Sequence, residues 1–179
     1  MKYEIIIFDA DETLFDFKKS ESDAFKNTML EFDIKYDENY HFKIYSDINT
    51  AIWKEFEDGL ITQKELKVER FKRLSNKLNI KFDEIKFAKS YMKHLSFASF
   101  LYDDSIDLVE SLHKDYRLSI ITNGLKDVQD NRIRKSIIAK YFDDIVVSEE
   151  VMVSKLDPKI FEHALNNINH TVKSNVLIV

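Results

Sequence analysis

The sequence has no cysteine, one proline and two glycines in 179 residues. The first absence excludes disulfides, thiolate nucleophiles and cysteine-ligated zinc. The scarcity of the other two makes Gly59, Gly124 and Pro158 informative, because few other residues end a helix or tighten a turn. An excess of basic charge is also lacking. With a net charge of −5, no overall field draws the chain to nucleic acid or to an anionic membrane, and a phosphate ligand needs locally placed donors. No apolar run approaches the ~20 residues of a bilayer crossing. The run Ile5-Ile6-Ile7-Phe8 breaks at Asp9, which is too early for a secretory signal, so the cytoplasm is the expected location. What is present is a 44% hydrophobic, 33% charged composition, that of an ordinary globular chain. The length suits one core, or one core with a small inserted domain.

The run Ile5–Phe8 leads straight into Asp9-Ala10-Asp11-Glu12-Thr13. Apolar residues without alternation fit a strand buried on both faces, as in the middle of a parallel sheet. Such a strand delivers its last residues to the carboxyl edge, where open α/β folds bind ligands. Two carboxylates held there repel each other unless a cation lies between them, which points to a metal or phosphoryl site. The alternative for the same residues is a strand-to-loop transition in which Asp11 caps the next turn.

From Thr13 the texture is helical to about residue 99. Ser20 or Ser22 is the expected cap of a helix with Ala24, Phe25, Met29 and Phe32 on one face. Ile44, Ile48, Ile52 and Phe56 mark a second helix stopped by Gly59. Thr62-x-x-Glu65 reads as a capping box opening a third, with Leu66, Phe71, Leu74 and Leu78 inward. A fourth starts at Asp83, with Ile85, Ala88, Met92 and Leu95 inward. Four consecutive amphipathic helices make a small bundle. After it, strands are expected at 117–122, 144–147 and 175–179. Helices are expected around Ile106–Leu112, over Lys126–Ile138 and from Asp157-Pro158, where Pro occupies the first helical position. Alternation of this kind predicts an α/β fold, a Rossmann-like parallel sheet with an inserted helical bundle. The expected domains are 1–15 with 100–179 as core and 16–99 as the insert.

Two further motifs sit at expected strand ends. Thr122-Asn123-Gly124 can offer a hydroxyl, an amide and backbone donors to a phosphate oxygen, or can simply be a turn. Lys155, between the third strand and a helix, can neutralise a phosphate or Asp9, although most lysines are only solvated. Taken together in chain order, Asp-x-Asp-x-Thr, Thr-Asn-Gly and Lys before a helix resemble the haloacid dehalogenase (HAD) superfamily in its phosphatase branch, with a helical cap after the first motif. The stretches Ile52–Thr62 and Ser148–Val151 look like those of the bacterial pyrimidine 5'-nucleotidases within it. The resemblance implies a phosphohydrolase acting on small phosphate monoesters, nucleoside 5'-monophosphates in particular, with no nucleic-acid polymer or membrane as partner. It further implies that Asp9 is the nucleophile and forms an aspartyl-phosphate, while Asp11 protonates the leaving oxygen and then activates water. Thr122, Asn123 and Lys155 hold the phosphoryl oxygens. Mg²⁺ is bound by the Asp9 carboxylate and the Asp11 backbone carbonyl. An acid at position 11 argues against a dehalogenase, which needs no proton donor there.

There are departures from the family pattern. Met152 stands where relatives usually have Gly, and Leu156 where they have Pro. The acidic Gly-Asp loop expected after the fourth strand does not follow Val179, so a chain shortened before its fourth motif, with weaker Mg²⁺ binding and impaired turnover, is the expectation. The alternative from another class is a non-catalytic phosphate-binding remnant. A receiver domain fits less well, since no acid closely follows strand two or three. The five histidines share no spacing and read as surface or packing residues. Phe15, Phe17 and Trp53 can line a base pocket, with core packing preferred for Trp53.

Overall fold

The computed structural model describes residues 2–179. The four expected strands form as β1 (Ile5–Asp9), β2 (Arg117–Thr122), β3 (Asp144–Val147) and β4 (Val176–Ile178). They make one sheet in the order β3-β2-β1-β4, with every pairing parallel. Among the described residues the helices are α1 (Phe17–Glu31), α2 (Lys43–Glu57), α3 (Gln63–Leu78), α4 (Glu84–Phe97), α5 (Ser105–Leu112), α6 (Lys126–Arg132), α7 (Ser148–Val151) and α8 (Pro158–Asn167). None of them is long and apolar enough to cross a membrane. The chain divides into two compact units. One comprises residues up to Ser20 with Ser96–Val179, and the other is Glu21–Leu95.

The first unit contains the sheet, and its packing explains why β1 is apolar throughout. Ile6 and Phe8 join Leu118, Ile120, Val109 and Ile133 on one face. Ile5 and Ile7 join Ile121, Val146, Ile160 and Ala164 on the other. A strand covered on both sides has no solvent face on which to alternate. From β1 the chain steps outward to β2 and β3, then returns to the far side of β1 for β4. The order therefore reverses at β1, and the carboxyl end of such a strand is where open sheets form clefts. β4 differs from the buried strand expected: it pairs only with β1 among the described residues, and Ile178 is 57% exposed.

Two helices in this unit also differ from expectation. α6 stops at Arg132 instead of reaching Ile138. Ile133 and Ile138 both enter the same apolar cluster, and five residues apart on a continuous helix they would point about 140° away from each other. Tight turns after Ile133 resolve the conflict, ending in a short 3₁₀ segment at Ala139–Tyr141. The short α7, which has no counterpart in the sequence reading, ends on Met152 in the left-handed region at φ +54°. α8 starts as expected, with the Asp157 carboxylate accepting from Lys159 N–H at 3.0 Å and Pro158 in the first turn.

The second unit is built on aromatic rings. Phe25 stacks on Tyr45 at 4.4 Å between centroids, and Phe71 lies 5.9 Å beyond Tyr45. These large rings decide which helix faces turn inward, since they bury the most apolar area. In α2 the buried positions are Tyr45, Asn49 and Ile52, with Ile44 and Ile48 only half-buried. In α4 they include Phe87, Ala88, Tyr91 and Leu95, and Ile85 is 58% exposed. The Thr62–Glu65 capping box is present in full. α1 starts earlier than Ser20: the Asp16 carboxylate accepts from Lys19 N–H at 2.9 Å, and Ser20 lies inside the helix with its hydroxyl on Asp16 C=O. Trp53 is half-buried and meets Phe56 edge-on at 5.8 Å.

Candidate functional site

Beyond β1 the backbone closes a tight loop. Ala10 C=O accepts from both Leu14 and Phe15 N–H at 3.0 and 2.9 Å, Glu12 N–H donates to Phe15 C=O, and Glu12 adopts φ +58°. Asp9 is thus left at the strand tip with 41% of its side chain exposed. Its Oδ1 accepts from Ala10 N–H at 2.6 Å and lies 2.6 Å from Lys155 Nζ. The expected approach of Lys155 to Asp9 is therefore present. Asn123, expected to donate to a phosphate oxygen, also has a structural task. Its side-chain amide accepts from Lys155 N–H at 2.7 Å and donates to Lys155 C=O at 2.9 Å. These two bonds fix the backbone from which the ammonium reaches Asp9, and the second N–H of the amide remains for another acceptor.

Asp11 belongs to a second group. Its Oδ1 pairs with Arg132 Nη2. The Arg132 side chain is fully buried, and its guanidinium lies 5.4 Å from the centre of the Phe15 ring and 5.2 Å from that of Phe17. Both rings thus face a cation, a favourable arrangement once water is excluded. Arg132 Nε donates to Gln129 Oε1 at 3.1 Å, and Gln129 Nε2 donates to Thr122 Oγ1 at 3.2 Å. A buried polar chain therefore joins the second acid of the first motif to the hydroxyl of the second. Burial pushes the Asp11 carboxyl above its usual value, the Arg132 guanidinium pulls it part of the way back, and the nearby Asp9 raises it. An acid in that setting is biased toward keeping its proton.

Gly124 is explained by the same chain. A Cβ there would meet Gln129 Cγ at 2.7 Å, so the glycine makes room for Gln129 rather than supplying an unusual backbone angle. Gly124→Ala must displace Gln129 from Thr122. The expected cost is about 1–3 kcal/mol in stability together with a raised KM for phosphate esters, read by thermal melting and initial rates. Unchanged kinetics would show that Gln129 has no bearing on the site.

Sequence reasoning missed Gln129 and Arg132. A signal was there: Lys126-Asp127-Val128-Gln129-Asp130-Asn131-Arg132 has a single apolar residue, Val128. A helix of that composition packed on a sheet must bury polar side chains, and buried polar groups need partners. Its outer face is anchored by charge, with Arg134 Nη1 2.6 Å from Asp130 and 2.9 Å from Glu150 of α7.

Among the described residues no three His, Cys, Asp or Glu side chains converge as a ready-made metal cage. The partly exposed Asp9 carboxylate at the strand tip could hold a cation, and the Asp11 backbone carbonyl is the second oxygen that the family resemblance implies. Few protein oxygens, completed by water and a substrate oxygen, fit Mg²⁺, which sheds its hydration reluctantly. They do not fit zinc, which favours nitrogen and sulfur ligands.

Known proteins of similar sequence and fold point to one family. A sequence profile for haloacid dehalogenase-like hydrolases matches residues 3–179. The chain is 30% identical over 182 residues to the pyrimidine 5'-nucleotidase YjjG of Escherichia coli, covering 100% of this chain and 77% of that protein. It is 30% identical over 183 residues to the pyrimidine 5'-nucleotidase PynA of Streptococcus pneumoniae, covering 100% of this chain and 76% of the other. Among solved structures, YfnB from Bacillus subtilis bound to magnesium superposes with a TM-score of 0.91 at 28% identity, covering 99% of this chain and 78% of that one.

Proposed function

The chain belongs to the haloacid dehalogenase-like hydrolase family, and from that premise we propose that it hydrolyses phosphate monoesters, nucleoside 5'-monophosphates above all, through a phosphorylated Asp9. The observation that carries the reading is the strand-tip carboxylate of Asp9, open to solvent and 2.6 Å from Lys155. A nucleophile and a cation fixed side by side in this way suit attack on a dianionic phosphoryl group. The preference for nucleotides is supported by the two pyrimidine 5'-nucleotidases to which the chain is similar.

In the first step an Asp9 carboxylate oxygen bonds to phosphorus, and the bond from phosphorus to the ester oxygen breaks. Asp11 gives its proton to the departing oxygen, a role suited to its raised pKa. In the second step Asp11, now ionised, takes a proton from water as the water oxygen attacks phosphorus, and Asp9 is released with inorganic phosphate. Lys155 and the Thr122 hydroxyl hold the phosphoryl oxygens, where charge builds up. Asn123 acts by fixing Lys155. Mg²⁺, held by Asp9 and the Asp11 carbonyl, would neutralise charge on the phosphoryl group and keep the nucleophile ionised.

The test is phosphate release from UMP, dTMP, AMP and p-nitrophenyl phosphate, with Mg²⁺ and with EDTA. We expect turnover with Mg²⁺, a loss of about 100-fold or more on chelation, and a preference for the pyrimidine nucleotides. No release from any of the four esters would overturn the hydrolytic reading. Retained phosphate binding in that case would leave a phosphate-binding module.

A further inference from the structure

Arg132 carries only donors, so the Gln129 atom that faces its Nε must be the amide oxygen. That fixes the Gln129 amide, whose Nε2 then necessarily donates to Thr122 Oγ1. A threonine hydroxyl has one proton. Since it accepts from Gln129 on one side, that proton is left to donate elsewhere. All three side chains are buried, with Arg132 at 0%, Thr122 at 1% and Gln129 at 2% exposure. The contact between Arg132 and Gln129 is therefore closed to water, and turning the Gln129 amide over would set donor against donor at Arg132. Gly124 leaves no slack on the other side of Gln129.

We propose that Gln129 and Arg132 are positioning residues that commit the Thr122 hydroxyl to donate toward the ligand, so that the tip of β2 accepts only groups offering lone pairs, such as phosphoryl oxygens. The inference rests on the phosphohydrolase reading for the identity of that ligand. Its basis, the direction of two buried hydrogen bonds, is separate. Arg132 thereby serves both halves of the site: it holds Asp11 directly and orients Thr122 through Gln129.

The test is a double-mutant cycle between Gln129→Met and Thr122→Val, read as the dissociation constant of inorganic phosphate by calorimetry with Mg²⁺ present. Methionine keeps the length of glutamine and removes its hydrogen bonds, freeing the hydroxyl to rotate. With Thr122 in place, Gln129→Met is expected to weaken phosphate binding by about 10-fold or more, the scale of one directed hydrogen bond to an anion. In the Thr122→Val background a clearly smaller loss is expected, because no hydroxyl remains to orient and only the hydrogen bond of Gln129 to Asp11 is still removed. If Gln129→Met does not fold, Gln129→Glu replaces it in the cycle. The introduced carboxylate keeps the Arg132 contact but can only accept from Thr122, turning its proton away from the ligand. The loss is then expected to be greater with Thr122 than with valine at that position. An equal loss in both backgrounds, or none in either, overturns the proposal, since a merely structural Gln129 would not distinguish them. A wild-type protein that binds phosphate but turns over no ester sinks the hydrolytic reading alone, and the cycle still decides the role of Gln129.

Discussion

Asp9→Asn is expected to lower turnover of any phosphate monoester by about 10³-fold or more, with little change in melting temperature. The amide is a far poorer nucleophile than the carboxylate it replaces and cannot form the acyl phosphate. The structural cost is small because Asp9 is 41% exposed, and a solvent-accessible ion pair with Lys155 contributes at most about 1 kcal/mol. Activity and stability should therefore separate cleanly. Steady-state rates with p-nitrophenyl phosphate, alongside thermal melts, read both quantities. A variant within tenfold of the wild-type rate would remove Asp9 from the chemistry, and one that failed to fold would show that the strand tip is structural.

Arg132→Met should do the opposite and strike stability first. Removing the guanidinium leaves the Asp11 carboxylate beside a buried apolar surface, and breaking such a pair costs about 2–4 kcal/mol when the remaining acid is only partly open to water. The two aromatic rings around the guanidinium lose their cation as well. The pH dependence has a definite sign. Asp11 already titrates above its ordinary value through burial, and without Arg132 it must move further in that direction. A carboxyl raised on folding favours the folded state below its unfolded pKa, and that contribution is lost as pH rises through the folded value. The penalty of Arg132→Met should accordingly be smaller at pH 4.5 than at pH 7.5 in urea unfolding. Adding Asp11→Asn should recover part of the loss at the higher pH. A penalty independent of pH would mean that Asp11 is not the group left exposed to the change.

The parts legible in the sequence were those set by a strong local rule. Ile5-Ile6-Ile7-Phe8 could scarcely be anything other than a strand covered on both sides, and Asp157-Pro158 could scarcely avoid starting a helix. Asp9 stood out because it ends an apolar strand, and Lys155 because it joins the other two motifs in chain order, a parallel sheet gathering strand ends along one edge. What escaped depended on contacts far apart in the chain. The inward face of α2 was chosen by the stack of Phe25, Tyr45 and Phe71 and that of α4 by Phe87 and Tyr91, which meet the same rings; these aromatics outcompeted the isoleucines that carried the periodicity. Gln129 and Arg132 looked like surface residues of a polar helix until the structure showed Asp11 and Thr122 waiting for them. The bracing of the Lys155 backbone by the Asn123 amide escaped for the same reason, since the two residues are 32 positions apart.

That closure bears on how much variation the segment after α7 can absorb. It is held at the N–H and C=O of Lys155 by Asn123, just past the end of β2, and by Val153 packed against the apolar cluster on that face of the sheet, whereas the side chains of Met152 and Leu156 take no part in holding it. Met152 is 85% exposed and Leu156 95% exposed. Met152 can therefore bear a left-handed backbone at about 1–2 kcal/mol without moving the ammonium. Positions 152 and 156 are therefore the places where this loop can be rewritten, provided that Asn123 and Val153 keep their hold on it.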